Sequence, residues 1–175
     1  MIKVNDEMIR ELKKGNREAF EYIFNVYSNK IYYLSMKYTK NSNDSDDCVQ
    51  EIFLRMLEKI QTFNSRKASF GTWFYRLATN YLIDRQRLEK IHKDCLCLNN
   101  ETVDKKKDDC NGMFTAELSQ VEKLVGEKSY SILVMKIGFE MSFREIAKEL
   151  NLSDSGVKRA YYEAMTKIKG LYKKG

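Results

Sequence analysis

Apolar residues recur along most of this chain at intervals of three and four, the spacing that lines one face of an α-helix. The first strong run is Phe20, Ile23, Phe24, Tyr27, Ile31, Leu34 and Tyr38, predicting a helix from about Asn16 to Thr39. Gly15 separates it from a short preceding helix around Asp6 to Lys14. The polar residues Asn41 to Ser45 read as a loop, and Asp44, Asp46 and Asp47 place negative charge where it favours the next helix's dipole. That helix presents Val49, Ile52, Phe53, Met56, Leu57 and Ile60 inward. A second loop, Asn64 to Ala68, leads to Ser69 as N-cap of a helix with Phe70, Trp73, Phe74, Leu77, Ala78 and Tyr81 on its inner face.

The period fades between about Lys90 and Gly112, where charged and turn-forming residues predict a flexible linker. It resumes with Phe114, Leu118, Val121, Leu124 and Val125, then Ile132, Leu133, Met135 and Ile137. No strand-like alternation stands out, proline is absent, and glycine numbers only 8. The expectation is an all-α protein of two small helical domains, 1–89 and 113–175, joined by the linker 90–112.

The last two helices carry a recognisable pattern. In Ser142–Leu150, Phe143, Ile146, Ala147 and Leu150 share a face, with the small Ala147 where two helices must approach closely. Asn151, Leu152 and Ser153 form a short turn plugged by Leu152, and Ser153 caps a helix that buries Val157, Ala160 or Tyr161, Ala164, Ile168 and Leu171. This is the layout of a helix-turn-helix, whose second helix enters the DNA major groove by its N-terminal residues. Ser153, Asp154, Ser155, Lys158, Arg159 and Tyr162 are the residues expected to face DNA. Lys158 and Arg159 suit base edges or phosphates, while Lys167 and Lys169 suit phosphates alone.

Composition sharpens this picture. The formal net charge is +6, and the segment 155–175 carries six lysines and arginines against Glu163, so the basic excess lies at one end. No apolar run approaches the roughly 18 residues that cross a bilayer, and the opening MIKVNDEMIRELKK lacks the apolar centre of a signal peptide, so a cytoplasmic protein without membrane association is expected. The four cysteines are Cys48, Cys95, Cys97 and Cys110. With His92, three of them offer a zinc-compatible set of atoms, but the Cys95-Leu96-Cys97 spacing is unlike that of zinc sites, so no metal and no cofactor are expected. Catalysis is not expected either: His92 is the sole histidine, and no Gly-rich phosphate loop or acid-base cluster is present.

The first half has two polar surfaces on otherwise amphipathic helices. Arg76, Asn80, Asp84 and Arg87 make a stripe opposite Trp73, Leu77 and Tyr81, and Asp47, Gln50, Glu51, Leu54 and Arg55 form a patch on the preceding helix. The segment DSDDCVQEIFLR, Asp44 to Arg55, resembles the part of bacterial extracytoplasmic-function (ECF) sigma factors that docks on core RNA polymerase. FGTWFYRLATNYLID, Phe70 to Asp84, is similar to that family's promoter-melting helix. Gly15 to Tyr27 resembles its opening helix, and Ser142 to Lys169 its reader of the minus-thirty-five element.

The resemblance implies a promoter-specificity subunit. Asp47, Val49, Gln50, Glu51, Leu54 and Arg55 would bind core polymerase. Lys67, Ser69, Arg76, Asn80, Asp84 and Arg87, with the Asn64–Ser69 loop and Arg85, would hold the single-stranded minus-ten element and its phosphates. Trp73 and Phe74 would anchor that loop, and an anti-sigma protein would be a regulatory partner. The competing reading is a stand-alone helix-turn-helix regulator whose first domain dimerises or senses a ligand.

Overall fold

The structure, a computed structural model, describes residues 4–39, 42–96 and 112–172. Among these residues every regular element is a helix. They fall into two compact units: one comprises residues up to Asn64 together with the chain from Arg76 through the rest of its helix, the other Ser65–Tyr75 with the C-terminal helices.

The first unit opens with α1, Asp6–Lys13, capped by Asn5, whose side chain accepts the Met8 N–H at 2.8 Å. Gly15, at φ +81°, ends it in the left-handed conformation, and the amides of Gly15 and Asn16 return to the carbonyls of Leu12 and Glu11, both at 3.0 Å. Asn16 then caps α2, Arg17–Met36, by accepting from Glu18 and Ala19. Two helices with a fixed corner thus follow from a five-residue stretch. Of the predicted face, α2 buries Ile23, Tyr27, Ile31 and Leu34, with Ala19 beside them, while Phe20 is half-buried and Phe24, at the edge, is 38% exposed.

The third helix, α3, spans Ser42–Lys59, so most of the stretch expected as a loop at 41–45 is helical. Ser45 turns fully inward and its hydroxyl meets that of Thr39, which satisfies a polar group the sequence marked for a loop. α3 packs against α2 and buries Cys48, Ile52, Phe53 and Met56, the Phe53 ring lying 4.8 Å from Phe24 and edge-on to Phe20. Burying each such side chain contributes about 1.5–3 kcal/mol. Leu57, expected inward, is 38% exposed because the inner face passes from Met56 to Ile60. A 3₁₀ turn, Ile60–Thr62, follows, and Lys13 donates to the Phe63 carbonyl at 2.8 Å, tying the turn to α1.

α4 runs Phe70–Leu96, seven residues into the stretch expected as linker. Residues 97–111, with Cys97 and Cys110, lie outside the described residues, as do the side chains of His92 and Cys95. In the second unit, α5 (Gly112–Val125) and α6 (Glu127–Leu133) are divided by Gly126 at φ +86°, and α6 continues into a π-helical turn, Val134–Gly138. Val125, Leu133 and Ala164 form a core with Leu124, Tyr130, Tyr161, Met165 and Ile168 around them. Ile137, expected in the apolar face, is 57% exposed. The wider π turn shifts the register there, so that Met135 stays buried as expected and Phe139 turns inward in place of Ile137.

Candidate nucleic-acid interface

The helix-turn-helix is built from α7, Phe143–Leu150, and α8, Asp154–Tyr172. A capping box starts α7: Ser142 accepts the Glu145 N–H at 3.2 Å while Glu145 Oε2 accepts the Ser142 N–H at 2.8 Å. Ile146 and Ala147 are buried, with Ala147 as the small contact residue anticipated. The turn is made by Asn151 in the left-handed conformation, φ 52°, which lets Leu152 N–H reach the Ala147 carbonyl at 2.8 Å. Ser153 caps α8 by accepting the Gly156 N–H at 3.1 Å. A β-carbon at position 156 would lie 3.0 Å from that serine oxygen, so glycine keeps room for the cap.

Val157 and Ala164 anchor α8 inward, which turns Ser153, Asp154, Ser155, Lys158, Arg159 and Tyr162 to the exposed side. Arg159 Nε donates to Glu163 at 2.7 Å, an exposed pair one turn apart that lies along the helix and raises the guanidinium's affinity for its proton. Tyr162 packs its ring beside Tyr161 and Phe143 and remains 61% exposed.

On α4, Asn80, Asp84 and Arg87 are exposed and Arg76 is half-buried, so the polar stripe exists as a surface. Asp84 and Arg87 approach to 3.6 Å, both well solvated, a separation that contributes little to stability. Lys67 and Ser69 are exposed too, but they belong to the second unit, whereas the stripe belongs to the first. Phe74 is fully buried and Trp73 half-buried, with Phe70 5.7 Å from each.

The patch on α3 divides by burial. Asp47, Gln50 and Leu54 are exposed, Leu54 at 56%. Glu51 and Arg55 are half-buried and paired at 3.1 Å, and the Arg55 guanidinium lies 4.6 Å from the centre of the Tyr81 ring. Val49, at 8% exposed, faces the core, so its contribution to the patch is packing rather than contact.

Arg85 corrects the sequence reading most clearly. Rather than standing out for phosphates, its guanidinium donates to the Asp44 carboxylate at 3.0 Å, the Asp44 carbonyl at 3.4 Å and Cys48 Sγ at 3.0 Å. Its Nε reaches Glu89 at 3.3 Å. Burial works against the charge of Arg85, but Cys48, Tyr81 and Glu89 outweigh it and keep the group protonated. Burial pushes the Cys48 thiol up, with Arg85 opposing. Among the described residues no cluster of three metal-ligating side chains occurs.

Sequence reasoning missed Thr72 and Glu145. The Ser142-x-x-Glu145 spacing does announce a capping box, but Glu145 also accepts from Ser69 and Thr72 through its other oxygen. Burial tends to raise this carboxyl, and the hydrogen bonds from Thr72, Ser142 and Ser69 outweigh it, holding its pKa down to about 2.

Residues 23–90 match the family described as Sigma-70 region 2. The ECF RNA polymerase sigma factor SigW of Bacillus subtilis is 31% identical over 163 residues, spanning 86% of this chain and 87% of its own. SigM of the same organism is 23% identical over 159 residues, spanning 87% and 94%. The chain belongs to the ECF sigma-factor family. Two solved structures share its fold. CnrH in complex with the cytosolic domain of CnrY has a TM-score of 0.57 at 20% identity, with 95% of this chain and 96% of that one covered. The sigma factor RpoE in complex with the anti-sigma factor NepR from Bartonella quintana has a TM-score of 0.56 at 12% identity, with 88% and 96% covered.

Proposed function

We propose that this protein is a non-enzymatic promoter-specificity subunit that binds core RNA polymerase and directs it to two promoter elements, without a cofactor. Asp47, Gln50, Glu51, Leu54 and Arg55 on α3 contact the polymerase, with Val49 holding their helix in place. Arg76, Asn80, Asp84 and Arg87 on α4, with Lys67 and Ser69 before it, take the single-stranded minus-ten element. Ser153, Asp154, Ser155, Lys158, Arg159 and Tyr162 read the minus-thirty-five duplex. Residues 1–89 and 113–175 then serve as the two DNA-contacting domains and 90–112 as their connection, in a cytoplasmic protein. An anti-sigma protein that covers the α3 patch is the natural regulator; CnrH and RpoE were each solved with a partner of their own.

The observation that carries this reading is the exposure of Asn80, Asp84 and Arg87 on a helix segment inside the matched residues 23–90. Exposed amide, carboxylate and guanidinium groups on one helical stripe provide the donors and acceptors that an unpaired base requires. A stand-alone helix-turn-helix regulator would leave that stripe without a role. The test is runoff transcription with bacterial core polymerase and genomic DNA of the source organism. The expected result is a start site that core alone does not use; none across the genome would refute the proposal.

A further inference from the structure

The two oxygens of Glu145 serve different helices. Oε2 completes the capping box of α7 through Ser142. Oε1 accepts from the Ser69 N–H at 3.2 Å, the Ser69 hydroxyl at 3.1 Å and the Thr72 hydroxyl at 2.7 Å. Ser69 and Thr72 are the cap and first turn of α4, and within the second unit they are thereby fastened to the start of the helix-turn-helix. One more contact accompanies the hydrogen bonds: the Tyr75 ring meets Phe139 edge-on at 5.0 Å, both rings buried.

We infer that Glu145 is an autoinhibitory latch: in the free chain it holds the Lys67–Ser69 loop and the first turn of α4 on the helix-turn-helix, and the loop must leave it before taking a DNA strand. The inference rests on the proposed assignment of Lys67 and Ser69 to the minus-ten strand. Its physical basis is competition for the same groups. Both donors of Ser69 are committed to a carboxylate, and a phosphate brought to them would meet that negative charge at close range. Thr72, fully buried, has its hydroxyl aimed at the same oxygen. A carboxylate receiving three hydrogen bonds from neutral donors is a strong local tether. Binding energy from polymerase or DNA that favours the open state can reverse the docking.

Glu145→Gln and Thr72→Val weaken the latch from opposite sides. Glutamine still satisfies the capping box, and valine nearly matches threonine in shape. The full chain of each is compared with the unaltered protein by amide exchange at Ser69 and by binding of a fluorescein-labelled pool of random-sequence single-stranded DNA, with and without bacterial core polymerase. Both variants should exchange faster at Ser69 and, without polymerase, bind the pool about tenfold more tightly, the gain expected if the open state is populated about a tenth of the time in the free chain. Polymerase should erase the difference. If the unaltered protein with polymerase captures strands but neither variant gains affinity without it, the latch is overturned and the promoter reading stands. If no form captures strands even with polymerase, the minus-ten assignment falls, and the latch with it.

Discussion

Arg85 Nη2 lies 3.0 Å from Asp44 Oδ1, so a cation in the middle of α4 closes on an anion in the first turn of α3. The same guanidinium donates to Cys48 one turn further along α3, and Arg55 covers the ring of Tyr81 one turn earlier along α4. The helix assigned to polymerase and the helix assigned to the melted strand are therefore fixed in register by side chains at two levels.

Arg85→Met should destabilise the protein by about 2 kcal/mol, because the partly buried Asp44 carboxylate and the Cys48 thiol lose a charged donor. Urea denaturation measures this directly. Arg85→Lys should fall between the two, since one ammonium replaces a fork that spans several acceptors. A midpoint unchanged in Arg85→Met would show that the network adds nothing to stability.

Burial separates the roles of Leu54 and Val49. Leu54→Ala removes a side chain that is 56% exposed, so it should leave thermal stability within about 0.5 kcal/mol while weakening capture by core polymerase. Val49→Ala removes one that is 8% exposed and should cost about 1–2 kcal/mol of stability, with core affinity following only as far as the fold is lost. Paired denaturation and pull-down measurements check both; equal effects on affinity at equal stability would contradict the division.

Arg159 and Asn80 are the residues proposed to meet the two promoter elements. Arg159→Ala should weaken binding to the upstream duplex and reduce the salt slope of that binding by about 1 if its contact is to a phosphate. Asn80→Ala should lower open-complex formation, read by permanganate reactivity of unpaired thymines, at nearly unchanged core affinity. Equal losses of both in Asn80→Ala would make the stripe a structural feature.

Glu145 sets a pH dependence whose sign follows from its depressed pKa. The carboxyl ordinarily titrates at 4.5 and is held down to about 2 in the fold, so its contribution to stability is complete above 4.5 and is lost as pH falls through 2. The difference in melting temperature between the unaltered protein and Glu145→Gln should be constant above pH 4.5 and shrink steadily as pH falls from there to about 2. A difference independent of pH across the window would show that the charge of Glu145 is not what its donors stabilise.

Local signals were legible where the cause is local. Ser69 and Ser153 cap the helices expected of them because each serine oxygen finds an amide three residues on, a reach written in sequence spacing, and Asn16 and Ser142, not singled out as caps, act by the same rule. The inward faces of α2 and α7 follow from the three-and-four period for the same reason. The errors at Ile137 and Arg85 have different causes. A π-helical turn displaces the period by a fraction of a turn without a residue type that marks it. An arginine on a helix has the same composition whether its partner is solvent, phosphate or a carboxylate forty-one positions away.

The sequence by itself determined that the chain is helical, that it carries a helix-turn-helix near its C-terminal end and that its segments are those of an ECF sigma factor, because periodicity, caps and motif order are all properties of neighbours along the chain. Only the tertiary structure decided that Leu57 stays exposed, that Arg85 is held by Asp44 and Cys48, and that Glu145 receives Ser69 and Thr72. Those facts depend on which elements pack together, and a hydrogen bond acts over about 3 Å of space whatever the separation along the chain.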